Sequence, residues 1–112
     1  MKSVFRNRSV LVALALIFFI TPLLAWNFSM QFYPSGGYAS CTAYVENEGQ
    51  FVSLDLRIYG PDNSLLAHDA VFRSNWVSDT ILAPLGGSGT YRCDVSYNYG
   101  TGSGQDSWDF DY

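Results

Sequence analysis

The chain has 112 residues, room for one domain, with ten acidic residues against six lysines and arginines. Three of those six cations, Lys2, Arg6 and Arg8, lie in the first eight residues. Beyond Ala25 only Arg57, Arg73 and Arg92 face the ten acids, a net charge of −7 with no lysine. An acidic surface without a basic stripe excludes nucleic acid and anionic membrane as expected partners.

Lys2, Arg6 and Arg8 precede the apolar run Val10 to Ile20, Pro22 breaks it, and Ala25 offers a small residue for cleavage. We read residues 1–25 as a signal helix that is removed, and 26–112 as the folded domain, exported to the periplasm or the extracellular space. A retained anchor is the alternative, but Val10 to Trp26 is 17 residues, at the short limit of a span, and is interrupted by Pro22. With the signal removed, no membrane contact is expected. A domain of this size has a marginal core. Sixteen Phe, Tyr and Trp residues after Ala25 offset that, each able to bury a large area.

From Trp26 the apolar pattern has period two. Trp26, Phe28, Met30 and Phe32 alternate with polar residues, and Pro34 to Gly37 ends the run. Tyr38 to Glu46 points Ala39, Cys41, Ala43 and Val45 inward, leaving Tyr44 outside. Asn47 to Gln50 has the chemistry of a tight turn. Phe51 to Tyr59 follows, with Val52, Leu54, Leu56 and Ile58 inward and Phe51 and Tyr59 outward. After the Gly60–Ser64 turn, Leu65 to Phe72 and Trp76 to Ala83 read as two more strands; either Trp76 or Val77 sets the buried phase of the second. Residues 89–99 form a sixth strand with Tyr91, Cys93, Val95 and Tyr97 on one face. The glycine-rich stretch 100–106 leads to a last strand with Trp108, Phe110 and Tyr112 on one face.

The expected fold is therefore all-β, a small antiparallel β-sandwich of about seven strands. Cys41 and Cys93 are the two cysteines, each on an inward phase of an exported chain, and are expected to be paired. Closing a loop of 52 residues contributes about 4 kcal/mol in the chain-entropy model.

Gly89-Thr90-Tyr91-Arg92-Cys93 resembles the Gly-x-Tyr-x-Cys segment of the immunoglobulin fold. The resemblance implies that the Cys41–Cys93 bond crosses between sheets and that Tyr91 forms a tyrosine corner, its hydroxyl bonded to the Pro84–Gly87 region. Leu54 stands where the family carries a tryptophan, Gly87 where it often carries Asp. In that fold the second and third strands lie in opposite sheets, whereas a turn as short as Asn47–Gln50 also suits a direct hairpin. The fold itself hosts many functions.

Few residues carry chemistry. His68 is the one histidine, and its neighbour Asp69 faces the other way along a strand, so no oriented pair or triad is expected. Asp106, Asp109 and Asp111 lack the ligand spacing of a calcium loop and blunt an edge strand instead. No metal or cofactor is expected. Gly86 to Gly89 and Gly100 to Gly104 open no helix and carry no phosphate-binding signature. Trp108-x-Phe110-x-Tyr112 also resembles the closing strand of outer-membrane β-barrels, but the chain is too short for eight spanning strands. Asn27-Phe28-Ser29 matches the N-glycosylation pattern.

Asn98, Tyr99, Thr101, Ser103 and Gln105 have the composition of a recognition loop between the last two strands. The function expected is a non-enzymatic recognition module for a protein or glycan surface. A structural envelope subunit that self-associates through edge strands is the alternative, and a small secreted hydrolase the weakest.

Overall fold

The computed structural model describes residues 25–112; the signal helix expected over 1–25 lies outside the described residues apart from Ala25. Five antiparallel strands follow: β1 (Asn27–Ser35), β2 (Tyr38–Tyr59), β3 (Leu65–Pro84), β4 (Thr90–Asn98) and β5 (Ser103–Asp111). The domain is all-β, as the period-two pattern implies. The strand number is a correction, five rather than seven. Asn47–Gln50 is not a turn between strands, because β2 runs through it; Leu65–Phe72 and Trp76–Ala83 likewise belong to one strand, β3.

The physical reason lies in how β2 and β3 bend together. They pair along almost their whole length, with a register irregularity between Glu46 and Phe51. Gly49 takes φ 83° and, opposite it, Asn75 takes φ 72°, a left-handed conformation that Gly and Asn tolerate best. The Gly49 N–H donates to the Asn75 side chain at 2.8 Å, tying the two bends into one. The buried phase of β2 switches across the bend, from Ala39, Cys41, Ala43 and Val45 to Val52, Leu54, Leu56 and Ile58. A hairpin turn would have ended the ladder here. The bend instead redirects it.

On the two sides of the bend, the edge of β2 away from β3 takes different partners. β1 pairs with residues 38–46 and β4 with residues 53–59, and β5 extends the sheet from β4. The bent β2–β3 ribbon thus contributes to two layers. One holds β1 with the first half of β2 and the second half of β3; the other runs β3, β2, β4, β5. The inward side chains of both layers make one core, sandwich-like in section. The Cys41–Cys93 disulfide joins the layers, with Cα atoms 6.6 Å apart and both residues fully buried. Phe28 stacks on Tyr97 and Phe32 packs on Phe110, closing β1 onto β4 and β5.

Val77, not Trp76, sets the buried phase of the second half of β3, followed by Ile81 and Ala83, and Trp76 is 44% exposed. On the outside it stacks with Tyr44 and lies beneath the Arg73 guanidinium. Trp108 and Tyr112 are exposed although they share the phase of half-buried Phe110. Trp108 is on β5 and Tyr112 just past its end, and among the described residues β5 has β4 as its one strand neighbour.

Candidate functional site

The residues singled out by sequence fall into two groups. Tyr91 is structural: it is 1% exposed, and its hydroxyl donates to the Gly87 carbonyl at 2.7 Å. The same oxygen accepts the N–H groups of Gly86 and Gly87 at 3.1 and 3.2 Å. Its ring lies on Phe110 and meets Tyr112 edge-on. One side chain thus satisfies three backbone groups of the loop between β3 and β4.

Asn98, Tyr99, Thr101, Ser103 and Gln105 do not make a long recognition loop. Asn98 ends β4, and Ser103 and Gln105 belong to β5, paired with Asn98 and Ser96. Only residues 99–102 connect the strands, and they are tied down. The Tyr99 N–H donates to Gly102 O at 2.9 Å, and the Gly100 N–H donates to the Asn98 side chain at 2.7 Å. Tyr99 stacks on Trp26 with ring centroids 4.0 Å apart. Its carbonyl accepts the side-chain amide of buried Asn47 at 2.6 Å. Gly100 takes φ 88°, and a Cβ there would collide with Gln50.

The strand phase sends Asn98, Ser103 and Gln105 elsewhere, to the solvent face of the β3–β2–β4–β5 layer. There they line a shallow, open groove of about 720 Å³. Its floor is made of small outward residues from three adjacent strands: Ala70 on β3, Ser53 on β2 and Ser96 on β4. Phe72 walls one side, stacked on Phe51 at 5.2 Å; the two rings are 69% and 63% exposed. Asp55 also lines the groove, which continues along the same face into a polar depression of about 400 Å³ that reaches Arg57, Asp94 and Ser107.

Charges on this face are matched where they stand. Asp55 pairs with Arg57 at 3.1 Å and with the His68 ring at 3.1 Å. Partial burial pushes its carboxyl up, but hydrogen bonds from His68 and Arg57 outweigh that and hold it below the ordinary carboxylate range. Asp94 pairs with Arg92 at 3.1 Å and accepts the Ser107 hydroxyl at 2.6 Å. Arg92 also covers the Tyr59 ring at 4.6 Å.

No family profile and no curated protein matches the chain. Among solved structures it is similar to β-glucosidase 3B from Thermotoga neapolitana, in complexes with α-D-glucose and with glycerol. In both, the identity is 12%, the TM-score 0.46, and the match covers 79% of this chain. The chain spans 17% of that protein's length.

Sequence reasoning missed Ser53, Asp55, Ala70, Phe72 and Ser96, and did not pair His68 with its partner Asp55. Each lies on the outward phase of its strand, which the alternation does give. What brings them together is the register of β2 against β3 and β4, which no local pattern encodes. Among the described residues, no group of three His, Cys, Asp or Glu side chains is gathered as a metal site would require.

Proposed function

We propose that the chain is an exported, non-enzymatic recognition module, secreted or periplasmic, with an immunoglobulin-like sandwich as its scaffold. The observation that carries this is the groove on the β3–β2–β4–β5 face, floored by Ala70, Ser53 and Ser96 and walled by exposed Phe72. A trough of small residues beside an exposed aromatic pair leaves room on this face for a ligand. A disulfide through the core suits an oxidising compartment. The Cys41–Cys93 bond and the paired β2 and β4 ladders back this face from the core side, and a preorganised surface lowers the ordering cost of binding. We assign no catalytic step, since His68 is held by Asp55 on an open strand face.

Filling the trough tests this. Immobilised protein is exposed to native exported material, and Ser96→Trp is compared with Thr80→Ala on the outward face of the other layer. Retention lost in the first and kept in the second supports the reading. Equal retention by both refutes it.

The second reading, an assembly subunit with weak self-association, draws on the 20-residue β3, whose one strand partner among the described residues is β2. The other edge of a strand this long can add a strand from another chain. Sedimentation velocity over a hundredfold concentration range distinguishes the two. A recognition module stays monomeric, whereas an assembly subunit forms defined oligomers.

A further inference from the structure

The groove also constrains what can enter it. The middle of its floor, Ser53 and Ser96, lies on β2 and β4, interior strands whose backbone groups are committed to ladders on both sides, and Ala70 and Phe72 stand on the face of β3 and not on its free edge. An extended polypeptide laid there would find no backbone partners for its own N–H and C=O groups, which strand addition at an edge supplies. Recognition must therefore come from side chains. Those available are Ser53, Ser96, Ser103, Asn98 and Gln105, groups that both donate and accept. Among the described residues Ser53, Ser96, Ser103 and Gln105 make no side-chain hydrogen bond within the protein, so their capacity is open to a ligand.

Charge narrows the choice again. The one charged side chain lining the groove, Asp55, is paired with Arg57 and bonded to the His68 ring, and Asp94 beside it is paired with Arg92; Asp109 and Asp111 lie outside the groove, further along β5. The net charge of −7 beyond Ala25 opposes an anionic ligand in any case. Phe72 contributes an apolar ring against which C–H groups can pack.

We propose that the groove binds a neutral glycan: an uncharged, polyhydroxylated chain whose hydroxyls pair with Ser, Asn and Gln and whose C–H face lies on Phe72. This rests on the recognition reading above and names its ligand class. The long trough, running on into the depression beside Arg57 and Ser107, suits an oligosaccharide over a single sugar.

The test uses the disulfide-bonded protein against neutral hexose oligosaccharides of several linkages, sulfated and uronic-acid oligosaccharides, and unstructured peptides, by calorimetric titration. Binding of a neutral oligosaccharide is expected to change less than twofold between 50 and 500 mM salt. Phe72→Ala and Gln105→Ala should each weaken it at least tenfold, with Thr80→Ala unchanged. Matching near-UV spectra and melting curves establish that the variants are folded. Selective binding of charged glycans or peptides overturns the glycan assignment. So does the absence of neutral-glycan binding while Ser96→Trp still abolishes retention of exported material; the recognition reading then stands. If Ser96→Trp leaves retention unchanged as well, both fall.

Discussion

Tyr91→Phe isolates one oxygen atom. The ring stays, with its contacts to Phe110 and Tyr112, and the removed hydroxyl makes three hydrogen bonds, to Gly87 O and from the N–H groups of Gly86 and Gly87. A net hydrogen bond contributes about 1 kcal/mol, and leaving a buried partner unpaired costs about 1–3 kcal/mol. Gly86 and Gly87 lie in an open loop, so water can reach part of what the hydroxyl leaves behind. The expected loss is therefore about 2 kcal/mol, a sizeable fraction of the 5–15 kcal/mol that holds a typical domain together. Urea unfolding followed by tryptophan fluorescence should show a lower midpoint with an unchanged slope. Tyr99→Phe is the control. Its ring stacks on Trp26, but the contact that ties Tyr99 to Asn47 runs through its backbone carbonyl and survives the change. A neutral Tyr91→Phe beside a costly Tyr99→Phe would refute the account of the loop between β3 and β4.

Three further outcomes are expected. Thiol labelling of the unreduced protein should find no free cysteine, and reduction should lower the unfolding midpoint, with about 4 kcal/mol lost in the chain-entropy model; labelling at both Cys41 and Cys93 would contradict the core. Gly89→Ala should cost about 1–3 kcal/mol, because Gly89 takes φ 134° and a Cβ there meets Pro61. Gly86→Ala, with open space around it, should be nearly neutral by the same denaturation assay. Asp79 faces Asp69 between the two halves of β3, and burial followed by that neighbouring carboxyl pushes it up to about 6. The folded-state pKa is thus above the unfolded one, near 3.9, so the associated stability is full below about pH 4 and is lost as pH rises through about 6. After allowing for solvent screening, Asp79→Asn should remove about 1 kcal/mol of this pH dependence and raise stability at pH 7.5. A pH–stability curve identical to that of the parent would refute it.

Much of the layer structure was legible because alternation is local. The inward phases of β1, both halves of β2, and β4 follow directly from which residues are apolar, and the disulfide needed only two cysteines in phase. Asn47–Gln50 misled because its turn chemistry is genuine: Gly49 does take a positive φ. Asn47, however, is buried and bonded to Tyr99, and Gly49 is bonded to Asn75, so the same residues make a bend within a continuing ladder. Trp76 and Val77 could not be ranked by hydrophobicity; Trp76 stays outside because Tyr44 and Arg73 cover it. The loop expected around 98–105 dissolved because Ser103 and Gln105 pair with β4, with Tyr97 and Tyr99 lying over Gly104 and Gly102 in place of side chains the glycines lack. The groove depended on long-range register, which brings Ser53, Ala70 and Ser96 side by side from positions far apart in the chain.

Backbone amide shifts of the ¹⁵N-labelled protein, titrated with the exported material it retains, test most directly whether the groove is the recognition surface. The account predicts that the perturbed amides cluster at Ser53, Asp55, Phe72, Ser96, Asn98 and Gln105, on the solvent face of the β3–β2–β4–β5 layer. Perturbations confined to the 99–102 connection, or to the opposite face around Thr42, Tyr44 and Thr80, would contradict it.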